Sequence, residues 1–195
     1  MITRSRIGCG VLALTAFLGS ASAGSTQLTG LENGEWPYLG GDAGNTRSAP
    51  LLDQINVSNF SDLEVAWTFK TDNLGTQPEF KLEGTPLMVG GVLYTTGGTR
   101  RSVVALDAAT GELLWMYSLK EGIRGAASPR QLSGRGVAYW SDGPMRKDER
   151  ILYVTPGFRL VALDATTGVP ISDFGTDGII DLKAAAVYGN EQPID

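Results

Sequence analysis

The chain has 195 residues, 26 of them Gly, with no His, a single Cys and a formal net charge of −5. Lack of imidazole and of a second thiol excludes a Ser-His-Asp relay, a His proton shuttle, a disulfide framework and a His/Cys zinc site. The acidic balance argues against a nucleic-acid partner, and catalysis is left to carboxylate, Lys, Tyr, Ser/Thr, an oxygen-ligated metal or a bound organic cofactor.

Residues 1–23 read as a secretory signal: Arg4 and Arg6 give a basic start, Ile7 to Leu18 an apolar run, and Ala21-Ser22-Ala23 a small-residue cleavage site. A spanning helix needs roughly 20 apolar residues, and this run of 12 is too short for an anchor. Cys9 lies inside the segment, so cleavage would remove the only thiol and leave residues 24–195 as an exported protein. Beyond Ala23 no stretch keeps a helical apolar period. Short Val/Leu/Tyr/Thr runs bounded by Gly recur instead, which predicts an all-β fold.

In chain order, Trp36-Pro37-Tyr38-Leu39-Gly40-Gly41-Asp42 comes first, and its glycines read as a turn because no Lys-Ser/Thr follows to make a phosphate loop. Asn56-Val57-Ser58 and Asn59-Phe60-Ser61 fit the glycosylation pattern only as chance matches. Leu63 to Trp67 and the Glu83-Gly84-Thr85-Pro86-Leu87 approach to a strand follow. Then Val104-Ala105-Leu106-Asp107-Ala108-Ala109-Thr110-Gly111 returns 57 residues later as Val161-Ala162-Leu163-Asp164-Ala165-Thr166-Thr167-Gly168, identical at seven of eight positions. The preceding strand repeats as well, Val92 to Thr96 resembling Ile151 to Thr155, with an offset of 59 that implies a first hairpin turn two residues longer.

Each unit is thus a strand ending in Tyr-x-Thr, a turn, a Val-Ala-Leu strand, an Asp-x-x-Thr-Gly turn and a further strand. Asp107 and Asp164 are expected to cap their turns through backbone N–H groups, in preference to binding metal, with Gly111 and Gly168 at positive φ. Trp115 is expected to dock its ring on the next unit, while Trp36, Trp67 and Trp140 read as core or docking residues. The run Met145 to Arg150 mixes charge signs and reads as a solvated loop. Repeats of this period predict β-propeller blades, roughly three of them in this length. Three do not close a ring, so an amino-terminal part of a longer protein is expected.

Taken together, the Trp36-to-Asp42 opening, Leu63 to Trp67, Glu83 to Leu87, the Ala-Leu-Asp-Ala-x-Thr-Gly repeats and Gly134-Arg135-Gly136-Val137-Ala138-Tyr139-Trp140 resemble the quinoprotein dehydrogenases, glucose and alcohol branch. The resemblance implies an eight-bladed propeller that oxidises a sugar or alcohol with pyrroloquinoline quinone and calcium, in the periplasm or outside the cell, free or membrane-associated. It implies electron transfer to ubiquinone or cytochrome c. Arg135 and Glu83 fall at cofactor-contacting positions; a guanidinium suits a carboxylated quinone because it pairs in a bidentate fork. The alternatives are a structural ion pair for Arg135 and an exposed acid for Glu83.

The family's catalytic Asp and its calcium ligands are expected beyond residue 195, so no catalytic or metal residue is assigned here. The adjacent Cys pair of alcohol dehydrogenases is absent from Arg130-Gln131-Leu132-Ser133-Gly134, and Gln131 stands where some glucose dehydrogenases carry His. The absence of the Cys pair favours the sugar side. A scaffold propeller without catalysis is the alternative, and it would need only the blade repeat.

Overall fold

The computed structural model describes residues 34–75, 79, 81–130 and 136–186. The expected signal segment and Arg135 lie outside these residues. Two four-stranded antiparallel sheets carry the fold. The first comprises β1 (Leu87–Val89), β2 (Val92–Gly97), β3 (Ser102–Asp107) and β4 (Leu113–Tyr117). The second comprises β5 (Ala138–Ser141), β6 (Glu149–Val154), β7 (Arg159–Asp164) and β8 (Ile179–Asp181). Each sheet runs in simple sequence order, as propeller blades do. The helices α1 (Ile123–Ala126) and α2 (Leu182–Ala186) are single turns.

Against the roughly three blades expected from length, two complete ones stand among the described residues. The remainder is residues 34–86, which contribute a bridge from Trp36 to Met88 and a 3-10 turn at Phe60–Asp62. A trace of a preceding unit survives in Trp67. Its Nε1 donates to the Ala108 carbonyl at 3.2 Å, as Trp115 Nε1 donates to the Ala165 carbonyl at 2.9 Å. Both rings press on the glycine closing the next turn: a Cβ on Gly111 or on Gly168 would come within 2.5 Å of the indole.

The turns themselves follow from the Asp-x-x-Thr-Gly sequence. One Asp107 oxygen accepts from the N–H of Ala109 and Thr110 and from the Thr110 hydroxyl, at 3.0, 2.8 and 2.9 Å. Asp164 repeats the set with Thr166 and Thr167 at 3.1, 2.7 and 2.8 Å. Gly111 and Gly168 take φ of 74° and 70°. These carboxylates are spent on turn N–H groups, as the sequence predicts. The Gly40-Gly41 region is likewise a turn, with Asp42 holding Thr46 by its N–H at 3.0 Å and its hydroxyl at 2.8 Å. Asn56 and Asn59 also serve a turn: Ser58 N–H donates to Asn56, and Asn56 N–H to Asn59.

Three expectations are corrected. First, the β2–β3 turn is one residue longer than the β6–β7 turn, not two. Gly97 pairs with Ser102 around four residues, whereas Thr155 N–H bonds Arg159 C=O around three. The two Tyr-x-Thr copies are therefore one residue out of register with their Val-Ala-Leu partners: Tyr94 pairs with Ala105, but Tyr153 with Val161. A one-residue shift sends a side chain to the other face of a strand. Tyr94 consequently points from the first blade to the second, and Tyr153 back from the second to the first.

They meet in the seam that forms the core, with Leu87, Val103 and Ala105 on one side and Ile151, Val161 and Leu163 on the other. Tyr94 donates its hydroxyl to Ala165 C=O at 3.1 Å, sharing that carbonyl with Trp115, and burial pushes its phenol up to about 12. Tyr153 meets Tyr117 edge to face at 6.2 Å.

Second, the strand expected directly after Gly168 is broken. Pro170 bridges Leu163, the chain then leaves the sheet, and β8 resumes at Ile179 opposite Val161. Proline has no N–H to extend the ladder. Third, the charged run Met145 to Arg150 is a loop only to Asp148. Glu149 and Arg150 belong to β6, where they pair with Ser141 and Trp140. Arg150 reaches back to Asp148 and lies over the Trp140 ring, so two of these charges are used within the blade edge.

Candidate functional site

Antiparallel order sorts the loops into two groups. One end of the blades carries Gly90-Gly91, the loop 142–148 and the two Asp-x-x-Thr-Gly turns. At the other end lie the approach to β1 from Lys81, the β2–β3 turn, the connection from β4 to β5 and the β6–β7 turn. The first group is made of turn caps and one ionic pair across elements, Arg146 to Glu35 at 2.8 Å, with Glu35 also accepting from Gly90 N–H at 3.0 Å. The other ionisable residues that bond across elements gather in the second.

Glu83 lies there, on the approach to β1, with its side chain 29% exposed and paired to Lys81 at 3.4 Å and to Arg130 at 3.5 Å. It is not the exposed solitary acid of the alternative reading. Arg130 belongs to the β4–β5 connection and is 62% exposed, so its charge is open to a ligand as well as to Glu83. The structure therefore joins Glu83 to cations. Whether Arg135 joins them is outside the described residues, as is Gln131.

The β4–β5 connection is fastened to the second blade by two charged residues. Glu121, only 3% exposed, accepts from Thr155 Oγ1 and Gly157 N–H, both at 2.7 Å, and from Arg159 at 3.0 Å. Arg124 donates Nε to Gly157 C=O at 2.7 Å and forms a two-pronged pair with Asp181 at 2.5 and 2.6 Å. Planar guanidinium matches carboxylate in this geometry. That bonding to Arg124 holds the Asp181 carboxyl far below its ordinary range.

Arg101 closes the group. Its guanidinium donates to Val154 C=O at 3.0 Å and to Arg130 C=O at 3.1 Å. Burial lowers its affinity for its proton, with Glu121 acting against the fall and Arg130 with it. Arg101, Glu121, Arg124 and Arg130 escaped the sequence reading. Their partners lie 29 to 57 residues away on other elements, and no local pattern announces them.

An open apolar cleft of about 400 Å³ is lined by Ile55, Asn56, Val57, Phe60 and Ser61. It lies on the segment preceding both sheets and has no charged lining. The charged loop end is thus the better candidate for chemistry. It can hold an anionic, carboxylate-bearing ligand against Arg130 and Lys81, with Glu83 keeping those cations in place.

Four-stranded blades in simple sequence order, with indole rings docked on the turn of the next unit, define a β-propeller. The sequence model of the PQQ family, glucose/ethanol/alcohol dehydrogenase β-propeller domain, matches residues 36–193, and the chain belongs to that family. It is 38% identical over 150 residues to the dehydrogenase subunit of the quinone alcohol dehydrogenase of Gluconobacter oxydans (strain 621H), covering 73% of this chain and 18% of that protein.

To the quinoprotein glucose dehydrogenase of the same organism it is 35% identical over 163 residues, 76% of this chain and 20% of the relative. The crystal structure of quinohemoprotein alcohol dehydrogenase from Comamonas testosteroni matches with a TM-score of 0.54 and 33% identity, over 69% of this chain and 18% of that one. The chain thus spans about a fifth of the length of these relatives.

Proposed function

We propose that the chain builds one wall of the cofactor site of a dehydrogenase that oxidises a sugar or an alcohol with pyrroloquinoline quinone. The observation carrying this reading is Glu83 held between Lys81 and Arg130 at the loop end of the blades. Pyrroloquinoline quinone is a flat ortho-quinone with three carboxylates, and exposed cations fixed by a partly buried acid suit such a ligand. When bound, the quinone supplies the hydride acceptor for oxidation of a CH–OH group.

Arg130 and Lys81 would meet the cofactor carboxylates, Glu83 would orient those cations, and Arg135 would add a further guanidinium. Calcium and the proton-accepting Asp, as the family resemblance implies them, would be supplied by parts of the enzyme outside the described residues. The basic start, apolar run and small-residue site at 1–23 support export to the periplasm. Electrons would pass to ubiquinone or cytochrome c.

The test is to express the complete reading frame, load it with pyrroloquinoline quinone and calcium, and follow dye reduction with glucose, ethanol and glycerol. Reduction dependent on added quinone is expected with at least one of these. A folded protein that takes up no quinone, or takes it up and reduces no dye with any of them, overturns the reading.

A further inference from the structure

We infer that Arg101 is a positioning residue for the cofactor cations, a main-chain clamp that fixes the segment carrying Arg130; the inference rests on the quinone reading above. Arg101 ends the β2–β3 turn with φ of 53°, a conformation that side chains other than Gly, Asn and Asp seldom adopt. Nothing in the turn alone favours Arg there.

Its side chain supplies a reason. Two N–H groups of one guanidinium reach carbonyls on separate elements, Val154 at 3.0 Å on β6 and Arg130 at 3.1 Å on the β4–β5 connection. A rigid fork can span both, whereas a single ammonium cannot hold that geometry. Neither acceptor carries a formal charge, so the contacts recognise main-chain position.

The Arg130 backbone is held from a second side by Ser128, whose hydroxyl donates to Arg130 C=O at 3.2 Å and accepts from Arg130 N–H at 3.3 Å. Upstream, Glu121 and Arg124 tie the same connection to Thr155, Gly157 and Asp181. The Arg130 side chain thus extends towards Glu83 from a backbone fixed to both blades. Arg101 is the member that joins the first blade to this frame, and it acts on the ligand only through Arg130.

The experiment compares Arg101→Met, Arg101→Lys, Arg130→Ala and the Arg101→Met/Arg130→Ala double variant in the full protein. Quinone affinity is read by equilibrium dialysis with calcium present, the thermal midpoint is followed alongside, and amide exchange at Ser128 and Arg130, which flank Pro129, is measured without quinone. Both Arg101 variants should weaken quinone binding by about tenfold, the loss of roughly one charged hydrogen bond from a displaced Arg130. Both should speed exchange at Ser128 and Arg130 while leaving the midpoint near that of the parent, and Arg101→Met should add no loss to Arg130→Ala.

Full affinity in Arg101→Lys would make the role one of charge and overturn the clamp. So would an additive loss in the double variant, unchanged affinity in Arg101→Met, or a large fall in midpoint matching the loss of binding. If the unsubstituted protein binds no quinone, the cofactor reading itself has failed, and the role of Arg101 at the cofactor falls with it. Unchanged exchange at Ser128 and Arg130 counts against the clamp alone.

Discussion

The docking of Trp115 on Gly168 gives the sharpest structural prediction. Gly168 sits at φ of 70°, and a Cβ there would approach the Trp115 ring to 2.5 Å. Gly168→Ala therefore carries two costs: about 1–2 kcal/mol for a left-handed non-Gly residue and about 1–3 kcal/mol for forcing a methyl into a packed seam. The expected total is about 2–5 kcal/mol. Gly91 separates the two, because its φ is 79° and a Cβ added there meets nothing within 4 Å. Gly91→Ala should thus cost only the first, about 1–2 kcal/mol.

The assay is urea unfolding of the complete protein followed by near-ultraviolet circular dichroism, repeated in a Trp115→Leu background where the ring is gone. There Gly168→Ala should fall to the Gly91→Ala value, a coupling of about 1–3 kcal/mol between positions 115 and 168. Equal cost of Gly168→Ala in both backgrounds, or a cost no larger than that of Gly91→Ala, would refute the close-approach argument. Gly111→Ala should repeat the result against Trp67.

Further predictions concern charge. Asp42, Asp107 and Asp181 have carboxyls lowered by backbone bonding to Thr46, backbone bonding to Thr110 and side-chain bonding to Arg124 respectively. Folded values below unfolded ones give stability that is full above the unfolded carboxyl value of about 3.9 and lost as pH falls through the folded values. Acid unfolding should therefore flatten in Asp181→Asn, and an unchanged acid limb would contradict the pairing. Tyr94 is the converse, its proton retained to about 12 in the fold. Its contribution should be full below about pH 10 and lost above it, as ultraviolet phenolate titration of Tyr94→Phe against the parent would show. Glu121→Ala would leave the partly buried Arg159 without its carboxylate and should destabilise by about 3–5 kcal/mol in the same urea assay. A change below about 1 kcal/mol would mean the Glu121 contacts contribute little.

What the sequence revealed depended on whether the determinant was local. The Asp107 and Asp164 caps lie within four residues of their donors, and Trp115 docking follows once the 57-residue repeat is seen. The opposite facing of Tyr94 and Tyr153 was hidden, because it depends on one residue of turn length and on which hydrogen bonds close each hairpin. The break before β8 was signalled by Pro170 but masked by the repeat that suggested an uninterrupted strand. At the site, Glu83 was visible through a motif. Arg101 and Glu121 were not, since an Arg in a turn and a Glu after a strand are ordinary until their partners 29 to 53 residues away are brought beside them.

The central claim, that this end of the blades holds a carboxylated quinone, is tested most directly by equilibrium dialysis of pyrroloquinoline quinone against the full metal-loaded protein and its Arg130→Ala and Glu83→Gln variants. Saturable binding of one quinone per chain, weakened in both variants, is the predicted result; binding that neither substitution alters would place the cofactor elsewhere and contradict the account.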